Sequence, residues 1–478
     1  MNNPIRYTET TRRIGFWPRR VCLRISLLTR ALPLGNGRSL RKEILRILLA
    51  KFPILQVVSV YLCILFILPV CAMAGIKIGI GKAEITPPVG TPSAGYQARK
   101  GAGMEGTHDP LLAIALFIDS GDKQIALCSV DHLGFTYDMV QKITQKIHAD
   151  PQLEGCEIFI GSSHTHSGGG AYLDIPIIGA SLAGVYNPSI TQMYVDKTCE
   201  AILTAYQHQT PAKIGIGYGK TENLSQYRGL WPENLSALNE MTVIKVTDLN
   251  DKPLVVLFNY PVHPTILKSQ NRLFSADFVG YARDELQLAL GVQTIYFNGA
   301  QGDIIPVILD EQDQFHACRL FAHSLTGTVK SIWEATPTTD TLHITVQKES
   351  YTFNPQATPT GLLLPVDTYS SEINLIVFNK VHAFITIPGE LSCFYDTRLQ
   401  KTATALGYAH LSILGLTNDA HGYIISPESW RHQTFESRLS FGGEHYGDVT
   451  EELLRGLFTR ISPSANTEKR DIVSTTGL

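Results

Sequence analysis

Two imidazoles two positions apart, in Ser162-Ser163-His164-Thr165-His166-Ser167-Gly168, mark the place where this chain could hold a metal ion or activate a water. The preceding Glu157-Ile158-Phe159-Ile160-Gly161 is rich in β-branched and aromatic residues and breaks into Ser, Thr and three consecutive glycines. A strand is therefore expected to end in a loop that carries the histidines. In extended backbone, side chains at i and i+2 share one face, so both rings would reach a single ion or water. By itself such a pair is more often a surface or capping feature, and it needs partners elsewhere.

Partners recur at the ends of other apolar runs. Residues 253–260 run into Pro261-Val262-His263-Pro264, 293–298 into Asn298-Gly299-Ala300-Gln301-Gly302-Asp303, 381–387 into Pro388-Gly389-Glu390, and 410–416 into Thr417-Asn418-Asp419-Ala420-His421-Gly422-Tyr423. In open α/β sheets, ligands bind in the crevice outside strand carboxyl ends. His164, His263 and Glu390 would supply two nitrogens and a carboxylate to a hydrolytic zinc ion that keeps one position open for water. Such an ion lowers the water's pKa to about 7 and polarises a carbonyl. His166 would then carry protons, and Asp131, ending the run 124–130, would orient an imidazole. Plain structural alternatives stand beside each residue. His263 suits a turn between two prolines, Glu390 the start of a helix whose dipole favours a carboxylate, and Asp303 an Asx-turn. Convergence of all the clusters on one crevice favours the site.

The elements that must position these residues are legible from periodicity. Runs 111–118 and 124–130 flank Ser120-Gly121-Asp122 and read as a hairpin. Helical patterns cover about 136–149, 189–207, 279–290 and 313–333, and further strands fall near 213–218, 241–247, 341–353 and 373–378. The expected fold class is α/β, with mixed β-sheets flanked by helices, because the hairpins exclude a purely parallel sheet. No repeat or linker divides the body, so one catalytic domain is expected over 75–461, with a frayed tail over 462–478. The segment 354–370, rich in Pro and Gly, reads as a loop over the site.

The two ends of the chain differ in charge. Residues 1–52 carry twelve Lys and Arg against Glu9 and Glu43, so the remainder is thirteen negative to give the net −3. Between Lys51 and Lys77 there is no charge, and the apolar segment 53–74 is long enough to enter a bilayer, with the basic segment left on the cytoplasmic side. Ala72-Met73-Ala74 resembles a signal-peptidase site, and the alternative is an uncleaved membrane anchor. Either way the body is expected outside the cytoplasm, in the periplasm, outside the cell or held at the membrane. Downstream, Cys128, Cys156, Cys199, Cys318 and Cys393 form no CxxC and no even framework, so neither a cysteine zinc site nor a disulfide scaffold is expected. An acidic body argues against nucleic acid as a partner and leaves a small-molecule or lipid substrate.

Gly79-Ile80-Gly81-Lys82-Ala83-Glu84-Ile85-Thr86-Pro87-Pro88, Ala94-Gly95-Tyr96, Gly106-Thr107-His108-Asp109-Pro110, the Ser163–Gly168 motif and Asn298–Asp303 occur in this order. Together they resemble the ordered motifs of the neutral, alkaline, non-lysosomal ceramidase family over about 76–450. The resemblance implies a zinc amidase domain with His164, His263, Glu390 and Tyr423 as ligands, and with His108, His166 and Arg228 around the substrate. Cleavage of an amide in ceramide or a related N-acyl compound by metal-activated water is the implied reaction. The immunoglobulin-like module that follows the family's catalytic domain is not expected within this sequence. Two positions depart from the pattern: Ile305 stands where the family has a serine, and Phe435 where it has a tyrosine. Neither side chain can donate a hydrogen bond, and loss of one transition-state donor costs on the order of 10²–10³ in rate. A catalytically silent relative that binds lipid or metal is therefore the second reading. A phosphoesterase or β-lactamase type of site is disfavoured, because Ser-Gly-Gly-Gly follows His166 where those sites need Asp-His.

Overall fold

The computed structural model describes residues 75–232 and 235–463. The segments 1–52 and 53–74, and the tail from 464 onward, lie outside the described residues. Among those described, no helix is long and apolar enough to cross a membrane.

Apolar runs with opposite-facing side chains build a larger sheet from eight strands: β1 (Lys77–Glu84), β2 (Leu112–Asp119), β3 (Gln124–Val130), β4 (Glu157–Ser162), β5 (Thr210–Lys220), β6 (Glu240–Asp248), β7 (Pro253–Tyr260) and β8 (Gln293–Asn298). Their order is β8-β7-β6-β5-β1-β2-β3-β4. A smaller sheet contains β9 (Ile344–Phe353), β10 (Tyr369–Phe378), β11 (His382–Thr386) and β12 (His410–Leu414), in that order. The strand β2 is buried on both faces, which is why its sequence is continuously apolar and does not alternate. Ala113, Ala115 and Phe117 face helices, while Ile114, Leu116 and Ile118 face the smaller sheet.

The helices α1 (Tyr137–His148), α2 (Pro188–Gln207), α3 (Phe278–Leu290) and α4 (Gln314–Ala335) cover the outer face of the larger sheet. The inner face packs on the smaller sheet through residues such as Leu257 and Phe297 against Phe378, Phe384 and Leu414. Two more helices, α5 (Cys393–Ala405) and α6 (Tyr446–Arg460), close the far side. The result is four layers: helix, sheet, sheet, helix.

Within the two sheets three strand pairs are parallel: β3 with β4, β7 with β8, and β11 with β12. Parallel neighbours need a crossover, supplied here by α1, α3 and α5 respectively. Their carboxyl ends are where the polar clusters read from the sequence begin. The hairpin β2–β3 forms as expected, with Asp119 opposite Gln124. The helix expected to start at Glu390 instead starts at Cys393, because Ser392 takes the N-cap and accepts from the Phe394 N–H at 3.2 Å. All five described cysteines are free and buried.

The glycines of the first motif have a packing role. A Cβ on Gly79 would lie 1.9 Å from the Ala205 carbonyl oxygen, and one on Gly81 2.2 Å from that of Ala201. The strand β1 therefore receives α2 directly on its backbone.

Candidate metal centre

The strand β4 is continued by two backbone hydrogen bonds, Ser163 N–H to the Val130 carbonyl and His164 N–H to the His132 carbonyl, both 2.9 Å. The chain then turns: His164 has φ +71°, so the extended backbone expected through the motif does not form. The left-handed conformation costs a non-glycine residue roughly 1–2 kcal/mol, and such strain collects at functional sites. It still brings the two rings together, edge to face, with 3.4 Å between the Nε2 atoms of His164 and His166.

Backbone carbonyls fix the imidazoles. The His164 Nδ1–H donates to the Leu133 carbonyl at 2.6 Å, and the His263 Nδ1–H to the Ile304 carbonyl at 2.9 Å. A carbonyl only accepts, so each ring carries a proton on Nδ1 and turns Nε2 toward the centre of the site. Asp131, expected to orient a ring, does not: its carboxylate is taken up by the Leu112 N–H at 2.9 Å and by Arg283 at 2.7 Å.

Glu390 faces both Nε2 atoms. Its Oε2 is 3.0 Å from His263 Nε2 and 3.2 Å from His164 Nε2, and all three residues are buried. Burial pushes the Glu390 carboxyl up, but interactions with His164 and His263 outweigh it and hold it well below the usual carboxylate range. Burial keeps His263 neutral, its pKa lowered to about 4, and pushes His166 well below its usual value. Two imidazole nitrogens and a carboxylate oxygen converging at 3.0–3.2 Å are a donor set that a cation can occupy in place of an N–H proton, so the residues fit a metal ion. Among the described residues, His164, His166 and His263 place ligand atoms within 4.8 Å of one another. His166 thus stands at ligand distance as well as at the proton-transfer distance expected of it.

Tyr423 is brought in by backbone pairing. A two-residue parallel ladder sets Glu390 directly opposite Tyr423. The Tyr423 hydroxyl accepts from Arg228 Nη2 at 3.1 Å, and the same nitrogen donates to the Gly302 carbonyl at 2.8 Å. Arg228 Nε donates to the buried carboxylate of Glu436 at 2.8 Å. Burial and the Glu390 carboxylate push the Tyr423 phenol well above its usual value, against the pull of Arg228.

The other polar clusters act as clasps. Asn298 Nδ2 donates to the carbonyls of Ser163 at 3.0 Å and Val262 at 3.1 Å, tying the two histidine segments together. Asp303 accepts from the Cys393 N–H at 2.9 Å and from the Ser392 hydroxyl, and so fixes the segment that carries Glu390. Above His166, Gly95 has φ +103°, and a Cβ there would fall 2.5 Å from His166 Nδ1. Arg99 Nη1 donates to the His166 carbonyl and, at 2.6 Å, to Ser93.

A cavity of about 280 Å³ opens over these groups. Its walls include Tyr172, Ile175, Ile178, Leu182, Leu364 and Phe435, so an apolar body can lie against a polar floor. Leu364 belongs to the expected loop 354–370. His108 is outside this lining: it hydrogen-bonds Tyr281 at 2.8 Å and stacks on Phe315. Ile305 is also outside it, on a short strand opposite Gln226. Phe435 does line the cavity, with the Arg228 guanidinium 5.0 Å from its ring centroid. Glu436, Leu133 and Arg99 carry no expectation from sequence, and Gly95 entered only as part of a quoted motif; Leu133 acts through its carbonyl, which no side-chain pattern reports.

A four-layer α/β fold with a buried imidazole–carboxylate cluster at the ends of its parallel strands thus defines the class. The chain matches the model of "Neutral/alkaline non-lysosomal ceramidase, N-terminal" over residues 76–345, more than half its length, and it belongs to that family. It is similar to neutral ceramidase A of Dictyostelium discoideum, 28% identical over 222 residues, 43% of this chain and 31% of the relative. It is likewise similar to neutral ceramidase of Drosophila melanogaster, 25% identical over 230 residues, again 43% and 31%. The matches therefore span about a third of these relatives' length. The fold is that of neutral ceramidase from Pseudomonas aeruginosa, with TM-score 0.73 at 17% identity, covering 81% of this chain and 75% of that one.

Proposed function

We propose that this chain is a zinc-dependent hydrolase of an amide bond in an N-acyl lipid such as ceramide. The observation that carries the reading is the convergence of His164, His263 and Glu390, two imidazole nitrogens each within 3.2 Å of a carboxylate oxygen, at the floor of an apolar-walled cavity. Family membership supports the amide and the lipid. His164, His263 and Glu390, joined by Tyr423, would hold the ion. When bound, zinc would supply Lewis-acid polarisation of the carbonyl and acidify a water.

The chain's own residues do the rest. Arg228, kept charged by Glu436, offers its guanidinium to the oxygen on which negative charge develops. His166, whose Nδ1 has no hydrogen-bond partner, is neutral and free to take a proton and pass it to the leaving amine. The apolar walls exclude water and hold the acyl or sphingoid chain. The polar tail of 1–52 and the apolar 53–74 support export, with the domain outside the cytoplasm; protease protection of intact cells tests that placement.

Purified full-length protein should contain close to one zinc per chain and release fatty acid from ceramide or from another member of an N-acyl panel. Glu390→Gln should lose both zinc and turnover. Zinc bound with no turnover of any N-acyl compound would replace this reading with the silent relative, which the absence of a hydroxyl at Phe435 favours.

A further inference from the structure

A second cavity, of about 330 Å³, is bordered by Asn259, Pro261, Gly299 and Ala300, from the segments that carry His263 and Asp303. None of the proposed metal ligands lines it. Its most unusual member is Asp396, in the first turn of α5, only 8% exposed. The carboxylate receives one long hydrogen bond, from Gln400 Nε2 to Oδ1 at 3.4 Å, and Oδ2 receives none among the described residues. The charged groups acting on it are Glu240 and Asp303, both acidic. A carboxylate buried among acids with no cation is costly, and burial accordingly pushes its pKa up to about 7.

A second acceptor is left over beside it. Asn259, also buried, spends its Nδ2 on the carbonyls of Phe297, Asn298 and Ile413 at 2.9–3.0 Å, and no protein donor reaches its Oδ1. The hydroxyls of Thr242 and Ser412, 2.7 Å apart, line the same space. At the rim stands exposed Glu240, paired with Lys220 at 3.2 Å. Lys220 and His410 border the space as well, but Lys220 is taken up by Glu240 and His410 is stacked on Tyr218 at 3.5 Å, so the acceptors left open at Asp396 and Asn259 call for a ligand that brings donors and positive charge. A bare metal ion does not answer this: among the described residues the groups close enough to hold one are the three site histidines. The volume also exceeds that of a single ion, since each water in bulk takes up about 30 Å³.

We propose that this cavity binds a small organic ammonium, with its –NH₃⁺ on Asp396 and its remaining donors on Asn259 Oδ1 and the Thr242–Ser412 pair. An ammonium brings positive charge to Asp396 together with three donors and no acceptor. The assignment is independent of the hydrolase reading.

Titration of the full-length protein with ethanolamine, by calorimetry and by thermal shift, tests it, with ethylene glycol and acetate as neutral and anionic controls. Ethanolamine should bind saturably and raise Tm, and the controls should not. Asp396→Asn should weaken binding by about tenfold or more, the loss of one charge-assisted contact. Glu240→Gln at the rim should weaken it several-fold, and decides the matter alone if Asp396→Asn does not fold. Stripping zinc should leave the ethanolamine response intact. Absence of saturation, unchanged affinity in the variants, or a response that vanishes with the zinc would each overturn the proposal.

Discussion

Glu390 stands 3.0 Å from His263 Nε2 and 3.2 Å from His164 Nε2, and at the residue scale these contacts mark where a ligand ion would sit. His164 and His166 should separate by role. His164→Ala should remove zinc, whereas His166→Ala should keep zinc by elemental analysis and lower kcat by about 10²–10⁴, the range of a lost proton carrier. Loss of zinc from His166→Ala would make it a ligand instead. Glu436 offers a second test, because it neutralises Arg228 behind the cavity. Glu436→Gln keeps the shape and removes the charge; kcat should fall with little change in zinc content. The meeting of His164, His263 and Glu390 was legible in the sequence because each ends an apolar run, whereas Tyr423 entered through the family resemblance and not through its spacing. Glu436 was not, since an isolated acid beside Phe435 has no pattern until the fold sets it against Arg228.

At the scale of elements, periodicity carried far. The helices α1 to α4 and the strands that feed the site were legible to within a few residues, because continuous apolar runs and 3.6-residue spacing survive packing. Three features were not. His164 leaves the extended region just after hydrogen bonds to the Val130 and His132 carbonyls have continued the strand, a turn that no local propensity reports. The helix after Glu390 is delayed by the Ser392 cap, which turns Glu390 into a strand residue opposite Tyr423. Ile305 lies off the cavity wall, so its replacement of a family serine acts at a distance and Phe435 is the substitution that meets the ligand space. The close seating of α2 on β1 gives a stability prediction. Gly79→Ala places a methyl 1.9 Å from a carbonyl oxygen and should destabilise by at least about 1–3 kcal/mol, read as a lowered Tm.

On the scale of the whole molecule, several buried carboxyls share a bias. Burial raises Asp396 and Asp419 to about 7, and Asp277 and Asp303 to about 6. Their folded values lie above the unfolded 3.8, so between about pH 4 and 7 the native state binds more protons than the unfolded chain. The stability advantage of the metal-free protein over an Asp396→Asn, Asp419→Asn variant should therefore fall as pH rises through that window, while buried His132, His166, His263 and His421, whose values burial lowers, push both proteins the other way. Denaturant midpoints of the two proteins at a series of pH values would show it, and an advantage that rises with pH would contradict it. Chelation at constant pH should lower Tm, with recovery on adding zinc, since an ion bound only by the native state stabilises it. Both imidazoles at the centre lean on carbonyls, those of Leu133 and Ile304. Any residue at 133 or 304 supplies the same oxygen, so drift at those positions leaves the aim of the rings intact. Alanine scanning would pass over the two groups that orient the site, and only amide-to-ester replacement or a shift in backbone register would expose them. A lineage can thus rewrite much of its sequence, as the 17% identity at TM-score 0.73 illustrates for the fold, without disturbing this part of its architecture.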